Sequence, residues 1–287
     1  MASLREIRQK IKSYKSTQQI TKAMKMVAAA RLRKAQLAML NARPFAQKME
    51  ELTAESVAYI DEIEDLPFFA KSLGKKRLAL VITSDKGLAG AFNTNLIRET
   101  LKYIRTYGAA NVDLIVVGRK GRDFFRRTAT VSMRKEYTTI LGHVRFAQAE
   151  LITADLLEAY NTKTYAAVDV IYNEFKSVMQ QKVSVKTLLP IILPERRQKL
   201  RYPEYIYDPD RVTVISALWL RHLKAQIYRI LLESAAGELG ARMSAMENAT
   251  QNASELLGSL TLLMNRTRQA VITNEILEVV SGAEALK

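Results

Sequence analysis

Two very long proline-poor segments, one at each end of the chain, constrain its fold more than any other feature. Stepping alternately three and four residues from Leu4 meets Leu4, Ile7, Ile11, Tyr14, Gln18, Thr21, Lys25, Ala28, Leu32, Ala35, Met39, Ala42, Ala46 and Met49. That is the seam of a heptad-patterned helix, interrupted only around "QQITK". No proline occurs before Pro44, and the pattern resumes beyond it as far as "DLPFF". The spacing predicts a helix from about Leu4 to about Ile63, with a kink near Pro44. After "YDPDR" there is no proline from Arg211 to Leu286, and Ala, Leu, Met, Glu and Arg dominate, which predicts a second and longer helix. Its apolar face reads Leu220, Leu223, Ile227 and Ile230, thins to small residues in "ESAAGELGARMSAMENATQNAS", and resumes at Leu256, Leu260, Leu263, Ala270 and Leu277. Gly237 and Gly240 cost helix propensity, about 1 kcal/mol each, but let a partner helix approach closely.

Two long helices with facing seams bury them by pairing, and the charge agrees. Met1 to Lys48 holds twelve Lys or Arg against Glu6 alone, whereas Glu233 to Lys287 holds four basic and seven acidic residues. Both helices join the middle of the chain at their inner ends, so in an antiparallel pair Met1 and Lys287 share the far end. At 1.5 Å per residue the second helix, roughly 75 residues, outruns the first by about 20 to 30 Å. The overhang carries Val271, Ile272, Ile276, Leu277 and Val280 with no partner left in this chain. Such a stripe implies a sleeve supplied by other subunits.

The middle of the chain has a different texture. "RLALVIT" (77 to 83), "VDLIVVG" (112 to 118) and "AAVDVIYNEF" (166 to 175) are short β-branched runs alternating with helical stretches near 93 to 107, 119 to 127 and 146 to 162. Strand and helix in alternation predict a parallel sheet with helices packed on it, a small Rossmann-like domain, to which "QKVSVKTLLP" adds a strand. The fold class is therefore α/β plus a long helical coiled coil. The expected division is an N-terminal helix over 1–66, the α/β domain over 75–195, a linker over 196–210 and the C-terminal helix over 211–287.

Composition excludes several chemistries. The 287 residues contain no cysteine and only two histidines, His143 and His222, so disulfides, thiolate metal sites and cysteine nucleophiles are out and zinc chemistry is disfavoured. No run reaches the roughly 18 consecutive apolar residues of a membrane span, and "MASLREIRQKIKSYK" lacks the apolar region of a signal peptide. "TSDKGLAGAFN" (Thr83 to Asn93) stands between strand and helix, where many α/β proteins hold a phosphate. A P-loop needs G-x-x-x-x-G-K-[ST], but here Lys86 precedes the first glycine and Phe92 and Asn93 end the run; G-x-G-x-x-G is also absent. The turn therefore reads as a tight strand-to-helix connection. Asp113 and Asp169 fall at expected strand starts and read as solvated or capping carboxylates, Asp85 as a partner of Lys86 or a turn cap, and His222 beside Trp219 as a packing residue. No Ser/His/Asp, paired-carboxylate or metal constellation emerges, and no cofactor is expected.

The pattern resembles one family closely, the γ subunit of F-type ATP synthases. The resemblance lies in "IRQKIKSYKSTQQITKAMKMVAAARLRKAQ", "TSDKGLAGAFN", "ARMSAMENATQNA" and "NRTRQAVITNEILEVVSGAEAL", and it spans the chain. It implies a central rotor shaft without an active site of its own. In that role the antiparallel coiled coil turns inside a ring of three α and three β subunits, and ion-driven rotation of the c-ring is coupled to ATP synthesis or hydrolysis there. The Rossmann-like domain is then a foot that rests on the membrane-embedded c-ring and holds the ε subunit. Without a cysteine-bearing insert the chain resembles the bacterial type, peripheral on the cytoplasmic face of the cell membrane. Met24 and Arg242 match positions near acidic levers of the β subunits, and Arg268, Gln269, Thr273 and Glu275 match a contact zone with the ring; in the rotor reading the basic positions Lys25, Arg31, Arg33 and Lys34 are expected, on their charge, to contact the α/β ring. Met24 also suits a plain coiled-coil core. Two other classes stay open on the residues alone: a nucleic-acid-binding coiled coil, for which the basic segment offers only Tyr14 and Phe45 for stacking, and an α/β enzyme with helical arms.

Overall fold

The computed structural model describes residues 3–58, 69, 74–128, 131–178, 180–191 and 206–284. The chain divides into two compact units: Met1–Ala29 with Arg242–Lys287, and Ala30–Ala241. Helix α1 (Leu4–Ala58) and helix α5 (Arg211–Glu284) contribute to both. Pro44 lies within α1 and does not break it. The expected end near Ile63 and most of the linker over 196–210 fall outside the described residues. Asp210 opens α5 by accepting the Thr213 N–H (2.9 Å) and hydroxyl (2.7 Å), an N-cap that satisfies a donor the helix cannot.

In the larger unit five strands form one sheet in the order β3-β2-β1-β4-β5. They are β1 (Lys76–Ile82), β2 (Val112–Val117), β3 (Ser132–Tyr137), β4 (Tyr165–Phe175) and β5 (Gln181–Leu189). All neighbours run parallel except β5, which is antiparallel to β4. Helices α2 (Phe92–Tyr107), α3 (Arg119–Thr128) and α4 (Phe146–Asn161) make the crossovers. "KRLALVI" and "VDLIVV" are apolar on both faces because helices cover both. Leu78, Leu80 and Ile82 point to one core, shared with Ile152 and Leu156 of α4 and with Trp219, Leu223, Ile227 and Ile230 of α5. Ala79 and Val81, one residue out of phase, join the other, with Leu96 of α2 and Phe125 of α3.

Strand β3, "SMRKEY", was not foreseen. It is an edge strand whose Arg134 and Lys135 face solvent, and its register to β2 slips between Leu114↔Met133 and Ile115↔Lys135. Charge and a bulge are how edges avoid pairing with other chains, and both erase the apolar alternation that marks a strand. The reading of Asp113 and Asp169 as solvated carboxylates is corrected: both are buried. Asp169 accepts from Arg77 Nε (2.8 Å) and Nη2 (2.7 Å), from the Tyr103 hydroxyl, and from Thr187 Oγ1 (2.7 Å). Asp113 accepts from the Tyr165 hydroxyl (2.7 Å) and faces Lys76 Nζ at 3.4 Å. Each carboxylate has its charge and lone pairs matched, the condition for burying one. The Tyr103 hydroxyl is pushed above its ordinary pKa, first by burial and then by its bond to Asp169.

In the smaller unit α1 and α5 pair antiparallel. Lys25 forms an ion pair with Glu247, and Thr250 Oγ1 donates to Thr21 Oγ1 at 2.7 Å, so a step along one helix is a step back along the other. Every seam position read from Leu4 onward is buried or half-buried. The α5 half of the seam needs correction. It runs Met246, Thr250, Ala253, Leu257, Leu260, Met264 and Thr267, alternating four and three residues, whereas Leu256, Leu263, Ala270 and Leu277 are exposed. Continuing the register sets Gln18 opposite Ala253, Tyr14 opposite Leu257 and Ile7 opposite Met264.

Candidate interaction surfaces

The glycine turn is held by its own side chains. Thr83 Oγ1 donates to the Val117 carbonyl (2.8 Å) and accepts the Gly121 N–H (2.9 Å). Asn93 brackets Ser84, accepting its N–H at 3.0 Å and donating to its Oγ at 2.8 Å, while Ser84 Oγ donates to the Lys86 carbonyl at 2.7 Å. Asp85 ties three strand ends together by accepting the backbone N–H of Arg119 (3.2 Å) and Thr139 (3.0 Å). Gly118, at φ +94°, lies so close to Thr83 that a β-carbon would collide with the Thr83 carbonyl.

In a sheet of this order the crevice for a ligand opens between β1 and β4, beyond their carboxyl ends, where the crossovers reverse direction. Here α5 occupies it. A β-carbon at Gly237 would touch Phe92, Asn173 and Gln181 at 3.5 to 3.8 Å, and one at Gly240 would lie 3.3 Å from the Val178 carbonyl. At Gly240 the helix backbone thus lies tight against the turn between β4 and β5, whereas the contacts at Gly237 are of ordinary van der Waals length. Nearby, Arg229 Nε donates to Glu233 at 2.8 Å. A depression of about 290 Å³ beside that pair is lined by Met39, Ala42, Ala46, Gln47 and Leu232. The Tyr172 hydroxyl is pushed up to about 12, by burial first and then by the charges of Glu233 and Glu174. Trp219 and His222 pack edge to face, centroids 5.4 Å apart, in the core. Among the described residues no group of three or more His, Asp or Glu is arranged to hold a metal.

The positions singled out for partner contact are spread along the two helices. In the smaller unit Met24 and Arg242 are half-buried, and Lys25 is half-buried in its pair with Glu247, on the seam itself. Arg268, Gln269, Thr273 and Glu275 are exposed on α5, where the Thr273 hydroxyl donates to the Gln269 carbonyl (2.9 Å). In the larger unit Arg31, Arg33 and Lys34 are exposed on α1. Beyond Thr267 the residues of α5 from Arg268 to Ala283 are all exposed, a length of about 24 Å. Ile276 (58%), Leu277 (57%) and Val279 (72%) lie open there with Val271, Ile272 and Val280. Glu247, the acid opposite Lys25, was missed from sequence: a heptad shows which face is buried, not which residue of a distant segment stands across it.

The family model for ATP synthase matches residues 3–286. The chain is 46% identical over 291 residues to the ATP synthase gamma chain of an Anaeromyxobacter species, covering all of both chains. It belongs to the ATP synthase gamma chain family. The gamma chain of Moorella thermoacetica is likewise 46% identical over 287 residues, again covering all of both. A chain in the central stalk/c-ring structure of the Tetrahymena thermophila mitochondrial ATP synthase is 30% identical with a TM-score of 0.62, covering 80% of this chain and 99% of that one. One from the Euglena gracilis mitochondrial enzyme shares the fold, at 22% identity and a TM-score of 0.67 over 99% of this chain and 94% of that one. Family membership makes the chain a non-catalytic subunit of the ATP synthase.

Proposed function

We infer that the chain is the central rotor shaft of a bacterial ATP synthase, coupling rotation of the c-ring to ATP synthesis or hydrolysis in a surrounding ring of three α and three β subunits. The observation that carries this reading is the end of α5: a single helix, exposed on every side from Arg268 to Ala283, with an apolar stripe that nothing in this chain covers. A bearing around a turning helix needs that surface, since apolar contact without directional bonds permits rotation. The paired helices supply stiffness, and the α/β domain over 75–195 is the foot that rests on the c-ring and holds ε. The assembly sits on the cytoplasmic face of the membrane. Met24, Lys25, Arg31, Arg33, Lys34 and Arg242 meet acidic levers of the β subunits, and Arg268, Gln269, Thr273 and Glu275 meet the ring. The foot keeps the architecture of a nucleotide-binding sheet, but α5 fills its crevice, so nucleotide chemistry belongs to the partners.

Co-purification from the native membrane tests the class: two partners of similar size in threefold excess over this chain are expected, and their absence contradicts the reading. Calorimetry on the isolated chain is expected to find ATP binding no tighter than about millimolar; micromolar binding abolished by Gly87→Val would restore the phosphate-site reading.

A further inference from the structure

In the smaller unit α5 offers α1 two faces to pair with. Met246, Ala253, Leu260 and Thr267 form one row of the α5 seam. The row that completes it is either the one in use, Thr250, Leu257 and Met264, or its neighbour on the other side, Ala249, Leu256 and Leu263. The two faces differ by a rotation of α5 of about 50°, half the angle between successive residues. Aliphatic content does not decide between them: Leu257 and Met264 are balanced by Leu256 and Leu263, which stay 45% and 46% exposed. What the row in use alone offers is polar. Thr250 Oγ1 donates to Thr21 Oγ1 at 2.7 Å, and the Thr21 hydroxyl, buried on the seam, donates to the Gln18 carbonyl at 3.1 Å. One turn along α1, Lys25 pairs with Glu247. With the other face paired, Ala249 would stand across from Thr21 and Glu247 would turn away from Lys25, so both contacts would be lost together.

We propose that Thr21, Thr250, Lys25 and Glu247 are the positioning residues of the shaft: they select which face of α5 is paired with α1, and so which face is presented to the surrounding ring. The second half of the proposal rests on the rotor reading. Polar groups at a seam fix a pairing by being left unmatched in the wrong one. Neither contact is strong, but a neutral hydrogen bond and a half-exposed ion pair together amount to a preference of roughly tenfold. Between two faces of near-equal apolar content, that decides. The choice carries along the shaft, because α5 is one helix from Arg211 to Glu284. A rotation at Thr250 turns Arg268, Gln269, Thr273 and Glu275 by the same angle.

The chain has no cysteine, so an introduced pair reports the paired face without background. Tyr14→Cys is combined in the full-length chain with Leu257→Cys for the face in use, or with Leu256→Cys for its neighbour. Under mild oxidation the 14–257 disulfide is expected to form at least about tenfold faster than 14–256, since bridging needs Cα atoms within about 7 Å and side chains turned towards each other. Thr21→Val with Thr250→Val keeps the side-chain shape and should leave that preference in place, because the ion pair remains. Adding Lys25→Glu sets like charges across the seam and should erase or invert it. Adding Glu247→Lys as well restores an opposite pair and should bring it back. A like-charge variant that keeps its helix content by circular dichroism and still prefers 14–257 overturns the proposal, as does a reversal that the restored pair fails to cure. If the like-charge variant loses helix content, Lys25→Ala in the same Val background is read in its place: a lost preference supports the proposal and a kept one overturns it. In cysteine-free complexes with α and β subunits, rotation-coupled turnover is expected to fall at least about fivefold in the like-charge variant and to recover with the restored pair. Unchanged turnover in a chain whose paired face has switched overturns the link to the ring. A wild-type chain that does not assemble with α and β refutes the rotor reading instead, while the disulfide pattern still decides what selects the face.

Discussion

The sheet unit and the helix pair use the same aliphatic residues to opposite ends. In the sheet, strands β1 and β2 are enclosed on both faces, and buried charges are matched by several partners each, as Asp169 is by Arg77, Tyr103 and Thr187. In the helix pair one seam is covered, much of it by small or polar residues such as Thr21, Ala28, Thr250 and Ala253, and large aliphatics such as Ile20, Val27, Leu256 and Leu263 stay in solvent. The sheet spends its apolar residues on its own stability. The helix pair keeps many of them for surfaces outside the chain.

Substitutions should separate the two regions by magnitude. The largest loss is expected for Asp169→Ala, about 3 to 5 kcal/mol in urea unfolding, because Arg77, Tyr103 and Thr187 all lose the buried carboxylate they donate to. Leu80→Ala should cost about 2 to 5 kcal/mol by opening a cavity between sheet and helices. The alkaline limb of stability is the next effect. Tyr172 titrates higher folded than unfolded, so its neutral form stabilises the fold fully below about pH 10, and that contribution is lost as pH rises towards about 12. Tyr172→Phe should flatten unfolding free energy across that window, and an unchanged slope would reject the assignment. On the helix pair, Leu257→Ala at the seam should cost about 1 kcal/mol, whereas its exposed neighbour Leu256→Ala should stay within about 0.5. The reverse order would mean that the seam runs through Leu256. Lys25→Ala is smallest, about 0 to 1 kcal/mol for a half-exposed pair, and should leave rotation-coupled turnover largely intact, while removing four or more of the α1 cations together should weaken binding to the ring.

How legible each region was in sequence follows from the same difference. Strands β1, β2 and β4 announce themselves as apolar runs because both faces are buried, and the α1 seam shows because its three-and-four spacing holds from Leu4 to Met49. Strand β3 was hidden by the charges that protect an edge. The α5 seam was misphased because "SELLGSLTLLMN" places apolar residues at 256, 257, 260, 262, 263 and 264, so period alone cannot choose a face. The phase is set upstream by Met246, Thr250 and Ala253, of which two would not be picked as core. The partners of Asp169 lie as far away as Arg77, 92 residues distant, beyond any local pattern. The plugged crevice was likewise invisible, since Gly237 and Gly240 read as helix–helix contacts until the sheet is seen beneath them.

Amide hydrogen exchange over residues 268–283 tests the central claim most directly. In the isolated chain this stretch is a lone helix with no seam partner and should exchange within the fastest class of helical amides, far ahead of β1 and β2. Assembled with α and β subunits, it should gain strong protection while the sheet changes little. Residues 268–283 that remain unprotected in the assembled complex would contradict the account of α5 as a helix built to turn inside a sleeve.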